Sequence, residues 1–414
     1  MLTPEYLNSC TDYLLGMYDQ LQTEICCDIA RKLVKTGRLT DSAWMQAKRV
    51  QQSGKLMEDV ISYVASIANL SEAEVKRMFN EAGLKNIEYD SAPLRNAGID
   101  VDLKLSPAMQ QVLKANIQKT NGDIRNLTMT TSVAAQTQYM DAVNMAHMKV
   151  VSGGFSYSRA IADAIRSAAV QGNSVLYRTG ACSKLDVAVR RAVLTSVNQT
   201  AGKITEQYAS DMGAEYYETS AHSGARPSHA VWQGRVFKID GSAPGYPNFA
   251  EATGYGTGEG LCGWNCRHSF YPYWPGISKR AYTSEKLAWM NAARFEFGRE
   301  KLTDYQCSQI QREFERGIRA TKRVLACYDA ATQSLTDDAT IAELKARFAD
   351  ESVSLKDQER KLREFCKQTN RSYDSIRTQV YAYKDSAGRI VNFGRSTSSK
   401  AVWANRKNEG SIKK

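Results

Sequence analysis

The side chains best suited to chemistry are gathered in one stretch of this sequence. The chain has 414 residues and four histidines; three of these, His222, His229 and His268, lie between residues 222 and 268 together with Cys262 and Cys266. The strings are His222-Ser-Gly-Ala-Arg-Pro-Ser-His229 and Cys262-Gly-Trp-Asn-Cys266-Arg-His268. Imidazole nitrogen and thiolate sulfur are the preferred ligands of tetrahedral zinc. Cys266 and His268 are separated by one residue, so in an extended segment they point to the same side. Five donors compete for four positions: His222, His229, Cys266 and His268 form the leading set, with Cys262 as substitute. Alternatively, the same residues hydrogen-bond and pack as the core of a compact loop. A catalytic metal needs an open position and a general base. His-Glu-x-x-His is absent, and His229 is followed by Ala230-Val231 instead of a His-x-Glu pattern. The zinc reading is therefore that of a structural staple, with no catalytic residues. The competing reading is a metal-dependent hydrolase or nuclease built on the same cluster.

The surrounding elements must hold this cluster in place. Five of the eight prolines lie between residues 227 and 275, and ten of the 27 glycines lie between 224 and 276. A turn-rich module is thus inserted between helical regions. Gly254-Tyr-Gly256-Thr-Gly258-Glu-Gly260 lacks the Gly-Lys-Ser/Thr ending of a phosphate loop and reads as a flexible loop. Upstream, residues 5–35 are helical in period, Leu70-Ser71-Glu72-Ala73-Glu74 reads as a helix start, and Ser106-Pro107 opens a long helix. Residues 184–212 form the clearest helix, with Val187, Arg191, Leu194, Asn198 and Ala201 on one face and Gly213 ending it. Residues 214–219 read as a strand. Downstream, 279–370 return to charged helical periodicity. Over 300–328, Ile310, Phe314, Ile318 and Leu325 line one face and Arg312, Arg316, Arg319 and Arg323 the other. Residues 380–393 read as a hairpin, and the last 20 residues as a basic tail.

The expected fold class is α+β, predominantly α. Long helices flank a small Pro/Gly-rich β/loop module, and a C-terminal hairpin and basic tail follow. The expected segments are 1–183, 184–276 (the core with the metal site), 277–378 and 379–414. Net charge is +11. Residues 277–414 carry 28 Lys and Arg against 18 Asp and Glu, a net of +10, so nearly all the excess sits in the last third. That asymmetry points to an acidic partner, with nucleic acid first and the arginine stripe as its contact. Nine scattered cysteines do not form a disulfide framework and read as small core residues. No apolar run reaches the roughly 18 residues of a membrane span. Folding in the cytoplasm of the cell that makes it, without a membrane partner, is expected.

The central module also carries a resemblance. His222-Ser-Gly-Ala-Arg-Pro-Ser-His229-Ala-Val-Trp232-Gln-Gly234, Thr253-Gly-Tyr-Gly-Thr and Gly263-Trp-Asn-Cys-Arg-His268-Ser-Phe resemble the phage minor capsid protein 2 family, associated with siphophages and prophages of Gram-positive bacteria. The likeness extends to Leu2-Thr-Pro-Glu-Tyr-Leu and to residues 305–323. More distantly, the module is similar to the head-morphogenesis domain of the Mu-type F protein, matching its motifs at His229, Asn265, Cys266 and Arg267. His222 stands where that domain has Asp, and His268 where it has a second Cys; each exchanges one metal-ligand type for another. The resemblance implies a minor capsid or head-morphogenesis protein of a tailed phage, located in the virion. Its implied partners are the portal protein, other capsid or scaffold proteins and packaged double-stranded DNA, and its implied role is head assembly or DNA delivery. A DNA-binding protein used outside the particle is the other alternative.

Overall fold

The structure, a computed structural model, describes residues 1–35, 58–176, 182–380, 383–384 and 390–391. Its contacts divide the chain into two units, each assembled from three separated segments. The first comprises Met1–Asp12, Leu70–Arg125 and Val189–Ile310; the second comprises Tyr13–Asn69, Asn126–Ala188 and Gln311–Lys414. This division differs from the four consecutive segments read from the sequence, because helices distant in the chain share one core.

Five long helices carry the changes of unit: α2 (Asp12–Lys35), α3 (Glu58–Asp90), α5 (Pro107–Val151), α7 (Leu185–Asp211) and α11 (Asp304–Thr332). α1 (Pro4–Ser9) precedes them, begun by the Thr3 hydroxyl accepting from the Tyr6 amide at 3.2 Å. The single helix expected over 5–35 is thus two, parted at Cys10-Thr11. The start expected at Leu70-Ser71 lies inside α3. Ser71 is buried there, and Glu74 binds Arg77 one turn on (2.6 and 2.9 Å) instead of capping a first turn. Ser106-Pro107 does open α5, and Gly213, at φ +64°, follows α7.

In the first unit, α4 (Ala92–Asn96) follows α3, and a three-stranded antiparallel sheet lies beyond α7. Its strands are β3 (Tyr216–Thr219), β4 (Val236–Lys238) and β5 (Phe270–Tyr273), in the order β4-β3-β5. Aromatic and β-branched residues favour these strands. Tyr217 stands opposite Phe237 and Pro272, and Pro272 is tolerated because β5 is an edge strand. Tyr217, Phe249 and Phe270 meet edge-on or tilted at 4.7–4.9 Å, and Trp232, Leu261, Cys262 and Cys266 complete the cluster. Short helices α8 (Pro227–Ala230), α9 (Phe249–Thr253) and α10 (Ser284–Asn291) connect the rest. The hairpin β6 (Phe295–Phe297) with β7 (Glu300–Leu302) occupies a stretch expected to be helical; Phe295, Phe297 and Leu302 follow a period of two across its pairing.

The second unit is mainly helical. α6 (Tyr157–Gln171) begins at the Ser156 cap and buries Ala160, Ile161, Ala164, Ile165 and Ala168. It packs with α12 (Asp338–Gln368), and Tyr328 of α11 donates to the Ala162 carbonyl at 3.2 Å. β1 (Ser174–Leu176) pairs antiparallel with β2 (Cys182–Lys184). β8 (Tyr383–Lys384) pairs antiparallel with β9 (Ile390–Val391), at the place of the expected terminal hairpin. The turn joining them and the basic tail lie outside the described residues. Cys26, Cys27, Cys307, Cys327 and Cys366 are buried and form no disulfide, as small core residues.

Candidate metal centre and the arginine stripe

α7 positions the Cys266-Arg267-His268 segment. The side-chain amide of Asn198 donates to the carbonyls of Cys266 (3.2 Å) and His268 (2.8 Å), and Thr195 accepts from the Asn265 amide at 3.3 Å. Asn265 adopts φ +53°, a left-handed conformation that asparagine tolerates. His229 comes from α8, which starts at Pro227. Arg226 fixes the approach of these loops by donating to the Trp264 carbonyl at 2.6 Å, and Arg267 by donating to the Gly224 carbonyl at 2.9 Å.

The result brings three expected ligands together. His229 Nδ1 and His268 Nδ1 are 3.4 Å apart, and Cys266 Sγ lies 3.6 Å from the first and 3.7 Å from the second. All three residues are at most 2% exposed. His222 and Cys262 stand beside this trio and are not part of it. The His222 ring stacks on His268 at 4.3 Å, with its Nε2 buried and without a hydrogen-bond partner. Cys262 Sγ faces the His268 carbonyl at 3.8 Å. Cys262 also holds φ +57°, a conformation costing an L-residue about 1–2 kcal/mol.

The proton positions follow from the partners. His229 Nε2 is 2.8 Å from the Glu259 carbonyl, which can only accept. His268 Nε2 is 2.9 Å from Gln233 Oε1, whose identity as oxygen is set by the His222 backbone amide donating to it at 3.0 Å. The other end of Gln233 donates to Asn291 Oδ1 at 2.9 Å. Both Nε2 atoms therefore carry hydrogen, and in the neutral rings both Nδ1 atoms present lone pairs. Burial keeps the rings neutral, pushing His229 down to about 4, His222 down to about 3 and His268 well below its ordinary value. Burial likewise pushes the Cys266 thiol up.

The glycine loop is a folded support and not the flexible loop expected. At Gly260, a Cβ would overlap the backbone of Gly254, and at Gly263 it would overlap the Gly258 carbonyl. Only glycine allows these backbones so close. The turn they make carries the Glu259 carbonyl to His229. Gln233, Glu259 and Asn198 were missed as supports of the site; the one signal for them was a polar Asn198 in the apolar stripe of its helix.

The arginine stripe is not a continuous solvent face. Arg319 is 3.3 Å from both Asp19 and Asp186, and donates to the Arg377 carbonyl at 2.7 Å. Arg323, 4% exposed, pairs with Asp19 at 3.7 Å and donates to the Ala169 carbonyl at 3.2 Å. Two of the four expected phosphate contacts are thus turned inward, where carboxylates compensate their charge. Arg316 is exposed and Arg312 partly so.

Comparison with known proteins gives the class. A profile of the family described as phage minor capsid protein 2 matches residues 2–367. The chain belongs to that family. It is also similar to a protein of Lactococcus phage LL-H described as "Structural protein", 24% identical over 290 residues that cover 67% of this chain and 75% of the relative. No solved structure matches. Among the described residues, no helix is long and apolar enough to cross a membrane.

Proposed function

We propose that this chain is a minor structural component of a phage head, built into the virion near the portal and acting in head assembly or DNA delivery. The family match across residues 2–367 carries the reading, and the phage relative described as a structural protein supports it. The site geometry favours scaffolding over catalysis. His229, Cys266 and His268 are sealed from solvent, and among the described residues no carboxylate joins their group. A hydrolase or nuclease would need a water-accessible position and a general base beside it. Its partners are then the portal protein and other capsid or scaffold proteins, met during assembly in the host cytoplasm. Quantitative mass spectrometry of purified particles tests this: the chain should be present at low copy number and be recovered with portal protein. Its absence from particles that contain portal protein would reject the virion role and favour a protein used outside the particle.

The reading includes contact with packaged double-stranded DNA by the basic last third, with Arg316 as the stripe residue that faces solvent. Phosphate contacts of this kind weaken steeply with salt. The full chain should therefore shift duplex DNA at about 50 mM salt and lose most of that affinity by about 200 mM. No shift at low salt would remove DNA from the proposal.

A further inference from the structure

We propose that His229 Nδ1, His268 Nδ1 and Cys266 Sγ bind one divalent cation of the zinc type. This goes beyond the virion role and stands or falls separately from it.

The hydrogen bonds dictate the need for a cation. With both Nε2 atoms committed as donors to Glu259 and Gln233, two buried lone pairs face each other at 3.4 Å. Two acceptors cannot satisfy one another. The single thiol proton of Cys266 can serve only one of them, leaving the other buried and unpaired. A cation at the centre satisfies all three donors together.

The spacing matches one class of cation. Tetrahedral zinc, with bonds of about 2.0–2.1 Å to nitrogen and 2.3 Å to sulfur, sets two nitrogen ligands about 3.4 Å apart and a nitrogen and a sulfur about 3.6 Å apart. The observed sides are 3.4, 3.6 and 3.7 Å. Two imidazoles and a sulfur exclude calcium and magnesium, which take oxygen ligands. The support around the ligands is also that of a metal site: each coordinating ring donates its far nitrogen to an oxygen that fixes its tautomer. The His268 backbone amide points at Cys266 Sγ at 3.4 Å, where it would stabilise a thiolate.

Such a cation would tie α8, the glycine loop and the start of β5 into one unit, and hold them on α7 through Asn198. The test uses the full reduced chain made in zinc-supplemented medium. Metal analysis should find about one zinc per chain. After chelation, cobalt titration should give a tetrahedral visible spectrum with a thiolate charge-transfer band. Cys266→Ser should remove that band, whereas Cys262→Ser should keep it. His229→Ala and His268→Ala should each weaken zinc binding by at least 100-fold. Gln233→Ala, which frees the far side of His268 without removing a ligand, should weaken it by about 10–100-fold. Should a variant fail to fold, wild-type thermal melts with and without chelator give the same answer, with an expected drop in midpoint on chelation. A folded wild-type chain that carries no zinc and takes up neither zinc nor cobalt would overturn the site, as would binding unaffected by Cys266→Ser.

Discussion

Asp19 answers two arginines in a largely buried place. Arg319 and Arg323 both rely on it, and Asp186 serves Arg319 alone. Removing one partner of a buried pair costs roughly 3–5 kcal/mol, because the other charge is stranded. Asp19→Ala should therefore lower the stability of the second unit by about 3 kcal/mol, the low end of that range, since Asp186 remains; denaturant titration measures it. Burial pushes the Asp19 carboxyl up to about 6 against the pull of Arg319 and Arg323. In the unfolded chain it titrates near 3.9. Between these values the folded state holds a proton that the unfolded state has lost. The contribution of Asp19 to stability is thus greatest below about pH 4 and declines as pH rises to about 6. Asp19→Asn should remove this part of the pH slope, and an unaltered slope between pH 4 and 6 would contradict the assignment. In the first unit, Asn198→Ala should cost about 1–3 kcal/mol by leaving two buried carbonyls without their donor. The sequence made the metal-type residues conspicuous through composition alone, since histidine is rare in this chain. Its pattern could not place Asp19 beside Arg319, a pair 300 positions apart (319 − 19). An arginine stripe looks the same whether it meets solvent or a distant carboxylate.

Among the elements, the glycine loop is the most demanding. Gly260→Ala or Gly263→Ala would place a methyl group inside a neighbouring backbone segment, which cannot rotate away as a side chain would. Each should destabilise the first unit by about 3 kcal/mol or more, and should displace the Glu259 carbonyl from His229. Gly256, where a Cβ meets nothing but which has φ +90°, should suffer only the smaller conformational penalty. Thermal melts of the three variants rank these costs; equal effects at 256 and 260 would mean that backbone crowding is not the cause. Ser156→Ala removes the cap that accepts from the Arg159 amide and should cost about 1 kcal/mol. The long helices and β3 were legible because burial imposes their periods of 3.6 and 2 on sequence. The loop's compactness was not, because glycine signals freedom and close approach alike. Likewise, a Ser-Glu pattern marks a helix start only when the preceding residues are not helical, and residues 58–69 are.

For the whole molecule, order along the chain and order in space part company. Every change from one unit to the other falls within a helix, so there is no composition shift or flexible linker to mark it. Linear domain limits read from proline and glycine density differ from these interleaved units. The interleaving also imposes a schedule on synthesis. Once residue 310 has emerged, every segment of the first unit exists, but the second still lacks α12 and most of α11. Leu14, Leu21, Ile25 and Ile29 of α2, buried in the finished chain, are made near the beginning. At about 5–20 residues per second they wait roughly 15–55 s for the segment that begins at Gln311. For that interval the growing chain carries this apolar helical face while the rest of the second unit is unmade. The second unit should therefore be the one whose yield depends on chaperone supply and on translation reaching its end, and ribosome stalling beyond residue 310 should leave a folded first unit joined to an aggregation-prone remainder.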